Sequence, residues 1–150
     1  MLILAMPAYA GWSLQGRIVA VLDGDTVTLL DAQRTQHRIR LAQIDAPEKS
    51  QAFGERSKKS LSELTYNREV EAECFELDRY GRSVCRLRVD GRDINLEQVL
   101  RGMAWAYRQY VRETVYFRAE DVARREQRGL WLDPNPVPPW EYRHKAAERR

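Results

Sequence analysis

Residues 16–45 read GRIVAVLDGDTVTLLDAQRTQHRIRLAQID, and the reading of this stretch decides the fold. Residues 15–21 and 26–30 concentrate Ile, Val, Thr and Leu, the side chains that suit a pleated, half-buried surface, and Asp23-Gly24 between them is a turn signal. Arg38-Ile39-Arg40-Leu41 then alternates polar and apolar, and Gln43-Ile44 extends it. Three consecutive short strands are therefore predicted here.

Working outward, residues 69–75 and 83–89 read as two further strands, with Asp90-Gly91 as a hairpin turn after the second. Three helices punctuate the strands. Residues 52–66 place Phe53, Leu61 and Leu64 near one face. Residues 95–105 start with Asn95 as N-cap and carry the stripe Leu96, Val99, Leu100, Met103. Residues 114–127 place Val115, Ala119, Val122 and Ala123 at helical spacing, with Gly129 as the C-cap. The run DPNPVPPW at 133–140 ends regular structure. Five short strands with one helix inserted and others appended predict an α+β domain. The expected architecture is a five-stranded Greek-key barrel of the OB type with about three flanking α-helices.

A chain of 150 residues suits one domain and is long enough for a core without staples. Its 43% hydrophobic and 31% charged residues exclude disordered, collagen-like and membrane-spanning classes. The net charge of +3 belongs to the last eight residues, RHKAAERR, and residues 1–142 balance 21 bases against 21 acids. The tail is expected to be a solvated, frayed terminus. Bulk charge is therefore a poor argument for nucleic acid. Of the 25 cations, however, 21 are Arg, whose planar fork suits phosphate.

The first ten residues, MLILAMPAYA, end in the small-x-small pattern Ala8-Tyr9-Ala10 after an apolar run. They are read as the remnant of a signal peptide (residues 1–10), hence an exported protein, periplasmic or secreted, beginning near Gly11. The domain is expected over 11–132, followed by a Pro-rich and then basic tail over 133–150. Cys74 and Cys85 flank a turn-rich stretch and lie roughly opposite each other in a hairpin centred near Arg79-Tyr80. A disulfide in an oxidising compartment and two buried free thiols are both compatible with that spacing.

Three islands carry chemistry: Asp23-Gly24-Asp25-Thr26, the run from Arg40 to Glu48 (RLAQIDAPE), and Asp78-Arg79-Tyr80-Gly81-Arg82. Each alone reads as a turn, a strand exit or a solvated hairpin tip. The first is no EF-hand, because the twelfth position from Asp23 is Arg34 rather than Glu. Together, Asp25, Asp45 and Glu48 offer three hard oxygen donors, the shell of a Ca²⁺ or Mg²⁺ ion and not of zinc or copper. Arg40 stands five residues before Asp45, so the two share a face only if the strand bends, and Pro47 favours such an exit. Arginines beside a divalent cation make a phosphate site.

The ordered set VLDGDTVTL, RIRLAQIDAPE, DRYGR, the helical segment within VDGRDINLEQVLRGMAW, and RGLW resembles the staphylococcal nuclease family over roughly residues 16–131. That resemblance implies an OB barrel with flanking helices that cleaves DNA and RNA using one Ca²⁺ ion, as a monomer; the short apolar stretches predict no membrane span. It implies that Asp25 and Asp45 are metal carboxylates and that the backbone carbonyl of Ala46 is a third ligand, at a position where many members carry Thr. Glu48 matches the residue that orients or deprotonates the attacking water. Arg40 and Arg82 match the two phosphate-binding arginines, and Tyr80 lies near the nucleotide pocket. By the family pattern the 5′ oxygen leaves and the products carry a 3′-phosphate. Residues 75–80 form a shorter segment than the family's pattern has.

The alternative from another class is a non-catalytic OB module that binds single strands on aromatic platforms. Such a binder has no use for Asp25, Asp45 and Glu48 where a polyanion must sit. Trp105, Tyr107 and Trp131 are expected to pack in the core, and Lys58 and Lys59 to be solvated.

Overall fold

The computed structural model describes residues 11–150, so the expected signal-peptide remnant lies outside the described residues. In chain order the elements are β1 (Trp12–Asp23), β2 (Thr26–Leu30), β3 (Gln36–Leu41), β4 (Ile44–Asp45), α1 (Gly54–Thr65), β5 (Glu69–Leu77), β6 (Ser83–Val89), β7 (Arg92–Asp93), α2 (Ile94–Leu100), β8 (Trp105–Ala106), α3 (Thr114–Arg125), a 3₁₀ turn (Gly129–Leu132) and α4 (Pro139–Glu148). The sheet runs β3-β2-β1-β5-β6-β7, and a parallel pairing of β3 with β6, Ile39 opposite Ser83 and Leu41 opposite Cys85, closes five strands into a barrel. This is the α+β barrel that the strand pattern predicted. Closure also removes the unpaired sheet edges.

β1 makes closure possible by serving two partners. Its first half, Trp12 to Arg17, pairs with β5, and its second half, Arg17 to Asp23, pairs with β2. Irregular registers after Ile18 and after Val21 bend the strand between these duties. Gly16 sits at the crossing, where a Cβ would lie 2.2 Å from the Leu30 carbonyl oxygen. Alternating inward residues fill the barrel: Ile18, Val27, Leu29, Ile39, Leu41, Val70, Ala72, Leu87 and Val89 are all buried. Cys74 and Cys85, directly opposite each other on β5 and β6, are joined as a buried disulfide.

α1 and α2 cover one end of the barrel, α1 burying Leu61 and Leu64, α2 burying Ile94 and Val99. Asn95 is not the N-cap of α2. Asp93 takes that role, its side chain accepting from the Leu96 N–H at 2.9 Å. Asn95 is instead fully buried, accepting from the Leu87 N–H at 3.1 Å and donating to the carbonyls of Ala42 and Cys85 at 3.0 Å each. The helix also stops at Leu100, and Trp105 lies in β8, where it pairs with Asp45 of β4.

The interior face of α3 is carried by Tyr116, Ala119, Glu120 and Ala123, while Val115 is turned outward. Gly129 opens the 3₁₀ turn rather than capping α3, and Gln127 takes the left-handed conformation just after the helix (φ 51°). The frayed tail expected beyond 142 is corrected too. α4 runs from Pro139 to Glu148, started by prolines, which suit the first helical turn. His144 to Arg150 are exposed, but Arg143 is tied into the interior of the groove described below. Among the described residues no helix is long and apolar enough to cross a membrane.

Candidate active site

The β1–β2 turn delivers Asp25 with little freedom. Its N–H donates to the Asp23 carboxylate at 3.0 Å, and its own carboxylate accepts from the Thr26 hydroxyl at 3.0 Å and from the Ala46 N–H at 2.8 Å. Gly24 lets α1 press against this turn, since a Cβ there would sit 1.8 Å from the Ser57 hydroxyl and 2.8 Å from the Ala46 Cβ. The buried Gln98 side chain binds the Gly24 and Ser57 carbonyls and accepts from Ser60. Turn, α1 and α2 are thus locked together beneath the carboxylate.

The bend that brings Arg40 to Asp45 is a turn at Ala42-Gln43, with Gln43 left-handed (φ 67°). Arg40 holds the turn itself: Nη1 donates to the carbonyls of Leu41 and Ile44 at 2.8 and 2.9 Å. Asn95 ties the Ala42 carbonyl to β6. The result is one nitrogen, Arg40 Nη2, standing 3.2 Å from Asp45 Oδ1 and 3.4 Å from Asp25 Oδ2. Asp45 is only 1% exposed. Asp25, Arg40 and Asp45, 5 to 20 positions apart in sequence, are here one charged unit.

These residues line one wall of an open groove of about 1210 Å³. Glu48 stands at its edge. The β5–β6 hairpin forms another wall and contributes Tyr80 and Arg82. There the Asp78 carboxylate accepts from the Tyr80 and Arg82 N–H groups, and Arg82 Nε donates to it at 2.7 Å. Tyr80 is 66% exposed, with the Arg79 and Arg82 guanidiniums over its ring at 4.8 and 5.3 Å from the centroid. The structure therefore brings Arg40, Asp25, Ala46, Asp45 and Glu48 together and places Arg82 and Tyr80 on the hairpin wall of the same groove.

The electrostatics are those of an acid cluster short of positive charge. Burial, and then the neighbouring Asp25 charge, push Asp23 up to about 7. Burial also works against the Asp25 anion, but the Arg40 charge and hydrogen bonds from Asp23, the Ala46 N–H and Thr26 outweigh it and hold Asp25 below the ordinary range. Burial lifts Asp45 against the opposing pull of Arg143 and Arg40. Four carboxyl groups, Asp23, Asp25, Asp45 and Glu48, thus share two guanidiniums.

The second of those guanidiniums belongs to Arg143 of α4. Nη2 lies 2.7 Å from Asp45 Oδ2, and Nη1 lies 3.0 Å from Asp45 Oδ1 and 2.8 Å from Glu48 Oε1. Among the described residues no three Asp, Glu, His or Cys side chains converge as a ready metal cage. A cation of the protein's own stands between two of the acids instead. The donor set is all oxygen, it is short of positive charge, and it already holds a stand-in cation, so a hard divalent ion fits it.

Sequence reading missed Arg143, Asp23 as a member of the cluster, and Tyr107 and Tyr110, which line the groove. Asp23 was visible in DGDT, and the Pro-Pro start and Glu141 in the first turn were signals for α4. Trp105 and Trp131 pack in the interior as expected, whereas Tyr107 is at the groove, stacked on Trp140 with centroids 5.5 Å apart.

The chain is also similar to known proteins. The family model for staphylococcal nuclease homologues matches residues 38–133. An uncharacterized endonuclease of Haemophilus influenzae is 45% identical over 129 residues, 86% of this chain and 72% of that protein. A micrococcal nuclease of Shigella flexneri is 43% identical over 156 residues, 97% of this chain and 88% of that protein. Protein ParB of Escherichia coli is 39% identical over 160 residues, 99% and 89% of the two chains. Family match, barrel and site order agree, and the chain belongs to the staphylococcal nuclease homologue family.

Proposed function

We propose that the chain is a calcium-dependent nuclease that hydrolyses phosphodiester bonds of DNA and RNA by in-line attack of water. The observation that carries this reading is Arg40 Nη2 held between Asp25 and Asp45, in a groove that Arg82 also lines. A single Ca²⁺ ion, held by Asp25, Asp45 and the Ala46 carbonyl, would make the acid cluster acceptable to a polyanion and polarise a phosphate oxygen. Glu48, at the groove edge, positions the attacking water and takes its proton.

Arg40 is oriented by its two carbonyl contacts and keeps Nη2 toward the acids, where it binds a phosphate oxygen. Arg82, drawn from Asp78 across the groove, matches the charge that builds in the transition state and supports the leaving 5′ oxygen. The products then carry 3′-phosphates. Tyr80 is a stacking platform for a base beside the scissile bond. Asp25, Arg40, Asp45, Glu48, Tyr80 and Arg82 line one groove, so a monomer suffices. The disulfide fits an exported protein, because such bonds persist in oxidising compartments.

Cleavage of single-stranded DNA and of RNA, followed with Ca²⁺, Mg²⁺ or EDTA, tests the proposal. The wild type is expected to cut with Ca²⁺ and to stop with EDTA. Glu48→Ser should lose roughly 10²–10⁴-fold in rate. Absence of cleavage under every metal would sink the enzyme reading in favour of a non-catalytic single-strand binder. Products labelled at the 5′ rather than the 3′ phosphate would overturn the leaving-group assignment alone.

A further inference from the structure

α4 is not held at the groove by Arg143 alone. Trp140 stacks on Tyr107 with the rings 5° from parallel and meets Trp105 edge-on at 5.6 Å. Tyr142 and Ser50 hydroxyls bond at 2.8 Å, and Gln51 donates to the Val137 carbonyl at 2.6 Å. Pro139 is buried. The segment is thus anchored at Val137, Pro139, Trp140 and Tyr142, just ahead of the side chain that enters the acid cluster.

That side chain takes up the donors a metal needs. Arg143 covers both oxygens of Asp45 and one oxygen of Glu48 with a planar fork. Asp45 is otherwise contacted by Arg40 at the one oxygen Oδ1. Because Arg143 takes both Asp45 oxygens, unlike Arg40 on one, a divalent ion that coordinates Asp45 must displace at least one Arg143 contact, and the two cations compete for the same oxygens.

We propose that Arg143 is a built-in competitor for the metal: an intramolecular latch that holds Asp45 and Glu48 and must be displaced before a divalent cation binds. This rests on the metal-dependent reading above and adds that the carboxy-terminal helix sets the metal's apparent affinity. The protein's own cation serves the cluster when no metal is present. It also engages Glu48, so the latched protein lacks its free base. A latch closed in about nine molecules of ten weakens the apparent affinity about tenfold, since only the open fraction is competent.

The test is calorimetric titration of Ca²⁺ into the metal-free full-length chain, its Arg143→Gln and Arg143→Lys variants, and Trp140→Ala. Arg143→Gln is expected to bind Ca²⁺ about tenfold more tightly than the wild type. Arg143→Lys should fall between them, because it keeps the charge and loses the fork. Trp140→Ala keeps the guanidinium but loosens its anchor, and is expected to tighten binding at least about threefold. Affinities equal to or weaker than the wild type in both Arg143→Gln and Trp140→Ala would overturn the latch while leaving the metal reading intact. No binding heat with any of the four chains would overturn both.

Discussion

The two walls of the groove are built in different ways. On the strand wall, Asp25 and Asp45 are buried, Arg40 is half-buried, and all are held by contacts from β1, β3, β4, α1 and α2, many of them distant in sequence. On the hairpin wall, Arg82 and Tyr80 are held by Asp78 and Arg79, all within a few residues. The first wall is fixed by the fold itself, and its geometry fails only when the fold is disturbed. The second is a local turn whose side chains are free to re-aim once a phosphate replaces Asp78 as the partner of Arg82. On the proposed reading, such a site would combine a rigid cation cradle with an arginine that follows the substrate.

The contrast is broken most severely at Arg40. Arg40→Ala leaves Asp25 and Asp45 buried without their shared partner, so it is expected to cost about 3–5 kcal/mol of stability and on the order of 10³-fold in activity. Urea unfolding and cleavage rate should fall together. An Arg40→Ala protein of wild-type stability would show that the strand wall does not depend on this residue. Asn95→Ala, which strands the Ala42 carbonyl and the Leu87 N–H and takes one of two donors from the Cys85 carbonyl, is expected to cost about 3 kcal/mol. Denaturation midpoints would register it, and a change below about 1 kcal/mol would contradict the role given to Asn95.

Tyr80→Ala should leave stability unchanged and weaken single-strand binding by about 1–3 kcal/mol, the cost of a lost stacked base. Equal affinity of wild type and variant would remove Tyr80 from the substrate surface. The mildest test concerns pH. Asp23 keeps its proton to about 7 in the folded protein, against 3.8 unfolded, so the folded state binds the extra proton between those values. Stability of the chelated protein is then expected to fall as pH rises from about 4 to about 7. Thermal midpoints across that range should show the decline, and Asp23→Asn should flatten it; an unchanged slope in the variant would refute the assignment.

The same contrast explains what was legible in the sequence. The barrel was readable because strand alternation is local: Val27 and Leu29, or Ile39 and Leu41, announce their inward face within a few residues. The islands carrying Asp25, Arg40, Asp45 and Arg82 were readable as residue types, and their convergence rested on the resemblance. What was not readable depends on partners far along the chain. Asn95 has the composition of a helix cap, yet the local competitor Asp93 caps the helix and frees Asn95 for bonds to Ala42 and Cys85. Trp105 continues an apolar stripe, but pairing with Asp45 draws it into a strand. Arg143 sits in a run of charges that looks solvated, and anchors distant in sequence, such as the stacking of Trp140 on Tyr107, bring it to Asp45.

The central claim is that these two walls form one metal-dependent phosphodiesterase site, and Arg82 tests it most directly, because its removal disturbs no buried contact. The measurement is the initial rate of single-stranded DNA cleavage in Ca²⁺ by wild type and Arg82→Ala, with thermal midpoints taken alongside. A rate loss on the order of 10³-fold or more at an unchanged midpoint is predicted. Cleavage at the wild-type rate by the folded variant would contradict the account.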